Sequence, residues 1–392
     1  MADRLDPILP GSYLGVLGGG QLGRMFTHAA QAMGYKVCVL DPDINSPAGA
    51  VAEKHIQADY IDQAALKEMA RLCAAASTEF ENVPAQALDQ LEALGVYVAP
   101  KSGGVSVAQN RITEKKFLAT WQVEAGIGPA NHLVIEREAD LTQVTEDLLP
   151  GILKTARMGY DGKGQVTVHT RAELENAWVA FGRIACVLEK RMDLDFEVSA
   201  LVARGHDDEV LAYPVAQNIH KNGILHTTTV PAPSLKPEQE IKIIEAAKAI
   251  IRRLDYVGVL CVEFFVLKSG DIVANEIAPR PHNSGHYTQN ACVTSQFEQQ
   301  VRAMARVPLG STRLVQPSIM LNILGDEWLN TGSQIEPSWN VVLADSCAKL
   351  HLYGKAEPRV ARKMGHINFV GSTSADVANA CDQAIKVLRI KR

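Results

Sequence analysis

Two acidic residues lie inside strand-like apolar segments near the middle of the chain. Glu263 is the one acid in Val257–Val266, and Glu276 lies in Ile272–Ile277, directly after Asn275. A hairpin loop of two or four residues between these segments would place Glu263 opposite Glu276. A loop of three or five residues would break that register.

A cation is expected between these two acids. Opposed carboxylates about 5 Å apart would repel by roughly 3 kcal/mol at an effective dielectric near 20. Mg²⁺ fits, because it binds carboxylate oxygens together with substrate phosphate oxygens, and Asn275 or those phosphates could complete its shell. Two alternatives stay open: solvated strand acids, or the acid dyad of a retaining glycosidase. The low aromatic content, 6%, argues against sugar stacking.

A glycine-rich loop with three cations lies between two strand-like segments upstream of the acids. Lys154, Arg157 and Lys163 alternate with glycines, including Gly159 and Gly164. This pattern suits a flap whose main-chain amides and lysines hold a triphosphate. A solvated hairpin is the alternative. The sequence lacks the spacing of a Walker loop.

The N-terminal segment contains a second glycine motif, with Gly18, Gly20 and Gly23 between a strand and a helix, and Asp41 after the next strand. This is the fingerprint of a dinucleotide site, and it predicts a nicotinamide oxidoreductase if taken alone. The same geometry binds any phosphate at the start of a helix, so the phosphate of another substrate is the favoured interpretation. A purely structural tight turn is the third.

Directly beyond Glu276, a proline-stiffened turn carries Arg280, His282 and Asn283. A guanidinium, an imidazole and an amide in one turn can bind a small oxyanion next to the metal. His282 and His286 have the spacing of a zinc pair, but the proline and glycine in this turn argue against the helix that such a pair needs.

Two further patterns are weaker. Glu189, at the end of an apolar strand, and Glu197 could contact the adenine and ribose of a nucleotide, although an edge-strand acid is the commoner explanation. Lys355, Arg362 and Lys363 form the strongest basic patch of the C-terminal part. A phosphate is its natural ligand, and a charged hairpin surface is the alternative.

Composition limits the class of protein. The 392 residues are 47% hydrophobic and 21% charged, as in a globular protein of two or three domains. The net charge of -5 disfavours bulk nucleic-acid binding, so local cations must hold any polyphosphate. Without a signal segment or a long apolar run, we expect a cytoplasmic protein with no membrane span. The seven cysteines contain no C-x-x-C pair, so neither zinc nor disulfides are indicated.

The order of predicted elements indicates an α/β fold. A βαβ unit at Tyr13–Asp41 predicts a parallel sheet, and helices are predicted at 111–122, 236–254 and 295–306. The apolar face of the second helix is predicted from Ile241, Ile244, Ala247, Ile251 and Leu254. The predicted domains are 1–105, 106–315 with a lid lobe at about 130–192, and 316–392, the last β-rich with a terminal helix.

Six segments together resemble one enzyme family, the 5-(carboxyamino)imidazole ribonucleotide synthases of the ATP-grasp superfamily. They are Gly-Gly-Gln-Leu-Gly-Arg, Glu-Phe-Glu-Asn-Val-Pro, Gly-Tyr-Asp-Gly-Lys-Gly-Gln, Ile-His-Lys-Asn-Gly, Asn-Glu-Ile-Ala-Pro-Arg-Pro-His-Asn-Ser-Gly-His and Arg-Lys-Met-Gly-His, in that order. The resemblance implies an ATP-grasp fold, with a Rossmann-like pre-ATP-grasp domain before it and a small β-rich domain after it.

The resemblance also implies a reaction. ATP would phosphorylate bicarbonate to carboxyphosphate, whose carboxyl group passes to 5-aminoimidazole ribonucleotide in purine biosynthesis, with release of ADP and phosphate. ATP and Mg²⁺, as two ions, would be needed, without biotin, nucleic acid or membrane, and a homodimer is expected. The nearest rival is a formate-dependent glycinamide ribonucleotide transformylase of the same superfamily, and the rival of another class is the nicotinamide oxidoreductase.

The residues implied by the resemblance fall into four sets. ATP would be bound by Arg111, Lys154, Gly159, Tyr160, Asp161, Gly162, Lys163, Gly164, Gln165, Glu189, Lys190, Arg191, Met192, Glu197, His220, Asn275 and Glu276. The metal ligands would be Glu263 and Glu276. Bicarbonate chemistry would use Tyr160, Lys163, Arg280, His282 and Asn283. The ribonucleotide would contact Gln21, Glu81, Arg280, His282, Asn283, Lys355, Arg362 and Lys363. Many relatives carry arginine in place of Lys163, so bidentate geometry is lost there.

Overall fold

The computed structural model describes residues 6–157, 159, 164–329 and 334–390, which form three sheets and the helices around them. Within these ranges, no helix combines the length and the apolar character needed to cross a membrane.

The first sheet is parallel, as the βαβ pattern predicted. Its five strands lie in the order β3-β2-β1-β4-β5. Their bounds are β1 Tyr13–Leu17, β2 Lys36–Leu40, β3 Lys54–Ile56, β4 Cys73–Thr78 and β5 Tyr97–Val98, and the helices of this region are α1 Gln21–Ala32, α2 Gln63–Leu72, α3 Ala85–Ala93 and α4 Ser102–Ala108. Because the strands are parallel, β1 and β4 both end on the side where α1 begins.

A four-stranded antiparallel sheet lies within 130–192, the region for which a lid lobe is predicted. Its order is β6-β9-β7-β8, with β6 His132–Ile135, β7 Gly151–Thr155, β8 Gln165–Val168 and β9 Cys186–Lys190, and helix α6 spans Arg171–Ala180. Leu153, Leu174 and Trp178 are buried in a core of its own. The strands β7 and β8, which lie on either side of the glycine-rich segment in the sequence, therefore belong to a separately packed base.

The third sheet has nine strands and is antiparallel. Its main path is β15-β14-β10-β12-β13-β16-β18-β17, and β11 pairs with β10. The strands are β10 Leu194–Arg204, β11 Val210–Ala212, β12 Ala216–Lys221, β13 Ile224–Val230, β14 Gly258–Leu267, β15 Ile272–Ala278, β16 Ser318–Leu324, β17 Ala348–Leu352 and β18 Lys363–Val370. The strands after residue 316 thus extend the sheet that carries Glu263 and Glu276.

Helices cover this central sheet. They are α5 Arg111–Ala125, α7 Pro237–Arg253, α8 Thr288–Ala291, α9 Gln296–Met304, α10 Asp326–Leu329, α11 Trp339–Val342 and α12 Ser374–Val387. The α5 helix begins at Asn110, whose side chain accepts from the Ile112 N–H, and ends at Gly126, which has φ of +70°.

The helix α7 was predicted with nearly correct bounds, but its buried face is only partly the predicted one. Ile251 and Ala247 are fully buried, whereas Ile241 is 64% exposed. The face that packs on the sheet is centred on Ile243 and Ile250 instead. A helix this rich in isoleucine has apolar residues on more than one side, so spacing alone cannot fix which side faces the core.

Candidate active site

Two cavities meet beside the central sheet. The larger one, about 550 Å³, contains Glu263 and Glu276 and is called here the acid cavity. The smaller one, about 390 Å³, lies against the N-terminal glycine motif and is called the loop cavity. Their common wall is formed by Glu81, Arg280, His282, Asn283 and Lys363.

The two acids are paired across β14 and β15, as predicted, but not through the predicted turn. Glu263 is the register partner of Glu276. The Gly270 N–H donates to the Leu267 carbonyl and the Leu267 N–H to the Asp271 carbonyl, which is a three-residue loop. The register then shifts beside Glu263, so that Phe264 pairs with Ala274.

Asn275 is the extra residue at this β-bulge. Without the bulge, the odd loop would place Glu276 opposite Val262, and its side chain would lie on the other face of the sheet from Glu263. The bulge therefore restores the pairing that the loop length would have broken.

The donor set at the acids fits a divalent cation. Burial, and then the charge of Glu276, raise the pKa of Glu263, so the metal-free site resists full ionisation. The Asn275 side-chain oxygen is buried without a hydrogen-bond partner, and so are both side-chain polar atoms of Asn283. Hard oxygen ligands of this kind suit Mg²⁺.

A cluster of cations lies behind the acid cavity around Glu189, which is 3% exposed. The Glu189 carboxylate accepts from Lys154 at 3.0 Å and lies 3.2 Å from Lys115. The Arg111 guanidinium lies 4.0 Å from Glu189 and 3.8 Å from Glu276. Burial alone would raise the pKa of Glu189, but Lys115, Lys154 and Arg111 lower it to about 2.

A second ion pair faces the same cavity. The His220 Nδ1 atom lies 2.7 Å from the Glu197 carboxylate. Burial lowers the pKa of His220, but the hydrogen bond and the charge of Glu197, together with the charge of Glu263, outweigh it, so the net shift is upward. The pair joins β10 to β12, and Glu197 is the residue that was expected to contact the ribose of a nucleotide.

The turn after Glu276 places its side chains on the wall between the cavities. Arg280 pairs with Glu81 at 2.5 Å. Ser284 N–H and Ser284 hydroxyl both face the His282 Nδ1 atom, which therefore accepts and leaves the proton on Nε2, 3.4 Å from Glu263. Burial, and then the charge of Arg280, lower the pKa of His282 well below its usual range, so the ring is neutral.

The amides of the N-terminal glycine motif are occupied by carboxylates of the chain itself. Glu79 accepts from Gly20 N–H at 2.5 Å and from Gly23 N–H at 2.7 Å, and Asp41 accepts from Gly19 N–H at 2.7 Å. This is contrary to the predicted phosphate site at these amides. Asp41 also accepts from the Tyr60 hydroxyl, so it holds the loop and is not a free ligand for a ribose.

The basic segment between β17 and β18 closes the far side of the loop cavity, where Lys355, Arg362 and Lys363 join Gln21. The segment is held at its base: Gly325 N–H donates to the Arg362 carbonyl at 2.8 Å, and Ala361 N–H to Asp326 at 2.7 Å. The segment that carries these cations is thus attached to the two residues that directly follow β16.

Most of the residues implied for ATP line the acid cavity. These are Arg111, Lys154, Gly159, Gln165, Arg191, Met192, Glu197, His220, Asn275 and Glu276. Glu189 lies behind that lining, and Lys190 and Gly164 do not contribute to it. The expectations for Tyr160, Asp161, Gly162 and Lys163 lie outside the described residues. All the residues implied for the ribonucleotide line the loop cavity.

Two residues that sequence reasoning missed lie under the acids. Glu114 and Lys115 of α5 are 2% and 0% exposed. With Arg111 they have i, i+3 and i+4 spacing, so the three share one face of the helix. That spacing was the available signal, although a charged helical face is usually solvated.

Comparison with known domain families gives three matches in chain order. Residues 12–109 match the ribonucleotide synthetase preATP-grasp domain, and residues 121–297 match the ATP-grasp domain. Residues 318–380 match the phosphoribosylaminoimidazole carboxylase C-terminal domain.

Several similar proteins and structures are N5-carboxyaminoimidazole ribonucleotide synthases. The N5-carboxyaminoimidazole ribonucleotide synthase of Bacillus subtilis is 41% identical over 93% of this chain and 92% of its own. That of Brucella melitensis is 42% identical over 91% and 96%. A crystal structure of an N5-carboxyaminoimidazole ribonucleotide synthetase with ADP has a TM-score of 0.89 at 40% identity, covering 98% of this chain and 99% of that one. An Aspergillus clavatus enzyme, solved with ADP and 5-aminoimidazole ribonucleotide, gives 0.84 at 30%, over 96% and 98%.

The fold and the paired acids define an ATP-grasp ligase. Within that class, the chain belongs to the N5-carboxyaminoimidazole ribonucleotide synthase family. It is an ATP-dependent ligase of purine biosynthesis, and the transformylase and oxidoreductase alternatives are set aside.

Proposed function

We propose that this chain carboxylates 5-aminoimidazole ribonucleotide with bicarbonate, through carboxyphosphate, in the two cavities described above. The observation that carries the proposal is their common wall, where Arg280, His282 and Asn283 face both. A reactive acyl phosphate made on one side can be consumed on the other without crossing bulk water.

On the acid-cavity side we assign ATP. Arg111 and Lys154 meet the phosphates, and the pair Glu197 and His220 meets the ribose. Glu263, Glu276 and Asn275 would hold Mg²⁺, which supplies neutralisation of the triphosphate charge when bound.

At the common wall we assign bicarbonate. Arg280 supplies a fixed positive charge and the neutral His282 supplies an N–H donor, while the Asn283 amide has unused donors and acceptors. A bicarbonate oxygen attacks the γ-phosphorus and ADP leaves, which forms carboxyphosphate. The amine of the ribonucleotide then attacks the carboxyl carbon, and phosphate leaves with the amine proton.

In the loop cavity we assign the ribonucleotide. Lys355, Arg362 and Lys363 provide a local positive region in a chain of net charge -5, and this region suits the 5′-phosphate. Gln21 would donate or accept hydrogen bonds at the sugar and base, and the Glu81 carboxylate would accept them.

Three finer expectations stay predictions: homodimerisation, a cytoplasmic location, and domain boundaries near residues 105 and 315. Light scattering of the purified chain measures the first. Limited proteolysis measures the last.

The experiment that tests the function incubates the chain with ATP, Mg²⁺, ¹⁴C-bicarbonate and 5-aminoimidazole ribonucleotide. We expect ADP release that depends on the ribonucleotide, with label in an acid-labile carboxylated product. Release that ignored the ribonucleotide, or that required formate, would contradict the proposal.

The matched variant is Glu276→Ala. Because it removes half of the acid pair, turnover should fall at least about a hundredfold. Circular dichroism should be unchanged. The exposed Glu238→Ala on α7 serves as control and should keep wild-type turnover. Wild-type activity in Glu276→Ala would refute the metal role.

A further inference from the structure

Helix α5 supplies two ionisable side chains to the strand that carries Glu276. The Lys115 ammonium donates to the Asn275 carbonyl at 2.8 Å. The Glu114 carboxylate accepts from the Ile277 N–H at 2.6 Å. These two main-chain groups flank Glu276 directly.

The contacts lie on the outer edge of the central sheet. Within the described residues, strand β15 pairs with β14 on one side and makes one isolated bridge on the other, between Ala274 and Pro129, so most of its outer edge has no strand partner. Next to this point, the Ala274 N–H donates to the Gly128 carbonyl at 2.9 Å. Lys115 and Glu114 of α5 thus supply the donor and the acceptor that a neighbouring strand would otherwise supply.

These contacts matter because they hold the bulge that orients Glu276. Asn275 is the extra residue that turns Glu276 onto the face of Glu263, and a bulged residue has no ladder partner to fix it. Lys115 binds the carbonyl of this residue, and also lies 3.2 Å from Glu189. One side chain therefore connects the bulge to the cation cluster behind the cavity.

Packing alone does not require these residue types. Both side chains are almost fully buried, and apolar residues of similar size would fill the same space without loss of hydration. The polar side chains add directional hydrogen bonds, because each contacts one defined main-chain atom.

We propose that Glu114 and Lys115 are positioning residues that clamp the main chain on both sides of Glu276 and so hold the acid pair in register. This inference rests on the proposed metal role of Glu276. Neither residue lines the acid cavity or the loop cavity, so each acts through the strand.

Hydrogen exchange of the peptide that contains Ile277, followed by mass spectrometry, tests the clamp without substrates or metal. In Glu114→Leu, the Ile277 amide loses its acceptor and should exchange at least about tenfold faster. In Glu114→Gln, a carbonyl oxygen can still accept, so protection should be retained. Unchanged protection in Glu114→Leu would overturn the proposal, whatever Glu276 does.

Steady-state kinetics tests the consequence. Glu114→Leu and Lys115→Met should lower kcat on the order of a hundredfold, since small displacements of reacting groups have effects of that size. The KM for the ribonucleotide should stay within about twofold. Glu114→Gln should recover most of kcat. The exposed neighbour Lys116→Met is the control and should match the wild type.

Two outcomes distinguish the clamp by Glu114 and Lys115 from the metal role of Glu276. Faster exchange with unchanged kcat per folded molecule would make the clamp merely structural and would overturn the positioning role. Full activity of Glu276→Ala would instead refute the metal assignment, while the exchange data would still report on the clamp.

Discussion

Glu189 holds a buried negative charge among the cations that lie at and behind the proposed triphosphate site. Lys154 and Lys115 lie 3.0 and 3.2 Å from its carboxylate, and Arg111 lies 4.0 Å away. Without Glu189 these cations would repel one another in a low-dielectric region. The acid therefore assembles a positive wall before a polyphosphate arrives.

Glu189→Gln should lower the free energy of unfolding of the ligand-free protein by about 3 kcal/mol. The folded-state pKa of Glu189, about 2, is below the ordinary value of 4.5. Its contribution is therefore complete above pH 4.5 and is lost as the pH falls through about 2, so urea unfolding at neutral pH measures all of it. Exposed Glu175→Gln should change stability by less than about 0.5 kcal/mol. An equally small effect at Glu189 would mean that water screens the cluster.

Some residues of the candidate site could be recognised from the sequence, and others could not. Arg280, His282 and Asn283 stand together in one turn, so their types alone predicted an anion site. Glu114 and Lys115 sit in a charged helix, and only the packing of α5 under β15 makes them buried. Burial of that kind is a tertiary property, which no local pattern contains.

At the scale of elements, the hairpin β14–β15 has the predicted pairing of Glu263 with Glu276 but not the predicted loop length. Gly270, with φ of +89°, closes a three-residue loop, where a two- or four-residue loop was expected. The bulge at Asn275 corrects the register. Bulges leave almost no trace in a sequence, because they depend on what packs against the strand edge, here α5.

The basic segment before β18 depends on a close backbone contact at the end of β16. A Cβ atom on Gly325 would lie 2.2 Å from the Arg359 carbonyl oxygen and 2.5 Å from its nitrogen. Either the segment or the strand would have to move. The Gly325 N–H also donates to the Arg362 carbonyl, so a shift of the segment away from Gly325 would displace Arg362 as well.

Gly325→Ala should therefore raise the KM for 5-aminoimidazole ribonucleotide about tenfold or more, while the KM for ATP stays within about twofold. Initial rates at varied ribonucleotide and fixed ATP measure this. Gly103→Ala is the matched control, since a Cβ there meets nothing within 4 Å. A parallel rise of both KM values would show a general distortion instead of a local one.

At the scale of the whole molecule, the central sheet crosses the predicted boundary near residue 315. Strand β13 pairs with β16, and β16 with β18, so the basic segment and the acid pair belong to one sheet. The sequence indicated strands on both sides of this boundary but not their pairing, because β13 and β16 are separated by a long stretch of chain. The parallel N-terminal sheet, built from neighbouring βαβ units, was predictable for the opposite reason.

A column of imidazole rings crosses the same junction. His286, from the end of the anion-binding turn, stacks on His366 of β18 at 4.4 Å, and His366 stacks on His351 of β17 at 4.5 Å. The Asn368 amide adds a hydrogen bond to the His286 carbonyl at 2.9 Å. The turn and the C-terminal strands thus pack together through these rings, beside the buried aromatic rings of Phe297 and Tyr353.

This column predicts how stability depends on pH. Burial, and then the neighbouring histidines, lower the pKa of His366 well below 6.5, so the folded protein keeps this ring neutral where the unfolded chain protonates it. The unfolded state then binds more protons, and stability falls as the pH drops below about 6.5, by up to about 1.4 kcal/mol per pH unit for this ring. Buried carboxyls with raised pKa values, such as Glu79, tilt the profile the other way. The total slope is therefore not diagnostic, but a difference between variants is.

His366→Phe keeps an aromatic ring in the stack and removes the proton site. Between about pH 5 and pH 6, its unfolding free energy should depend on pH less steeply than that of the wild type, by about 1.4 kcal/mol per pH unit. Above about pH 7.5 the two curves should run parallel, offset by the lost hydrogen bond to the Tyr353 hydroxyl. The same substitution at exposed His169 should leave the wild-type slope. Equal slopes for His366→Phe and the wild type would mean that the column takes up a proton while folded, and the turn would then be coupled to the C-terminal strands through a charge.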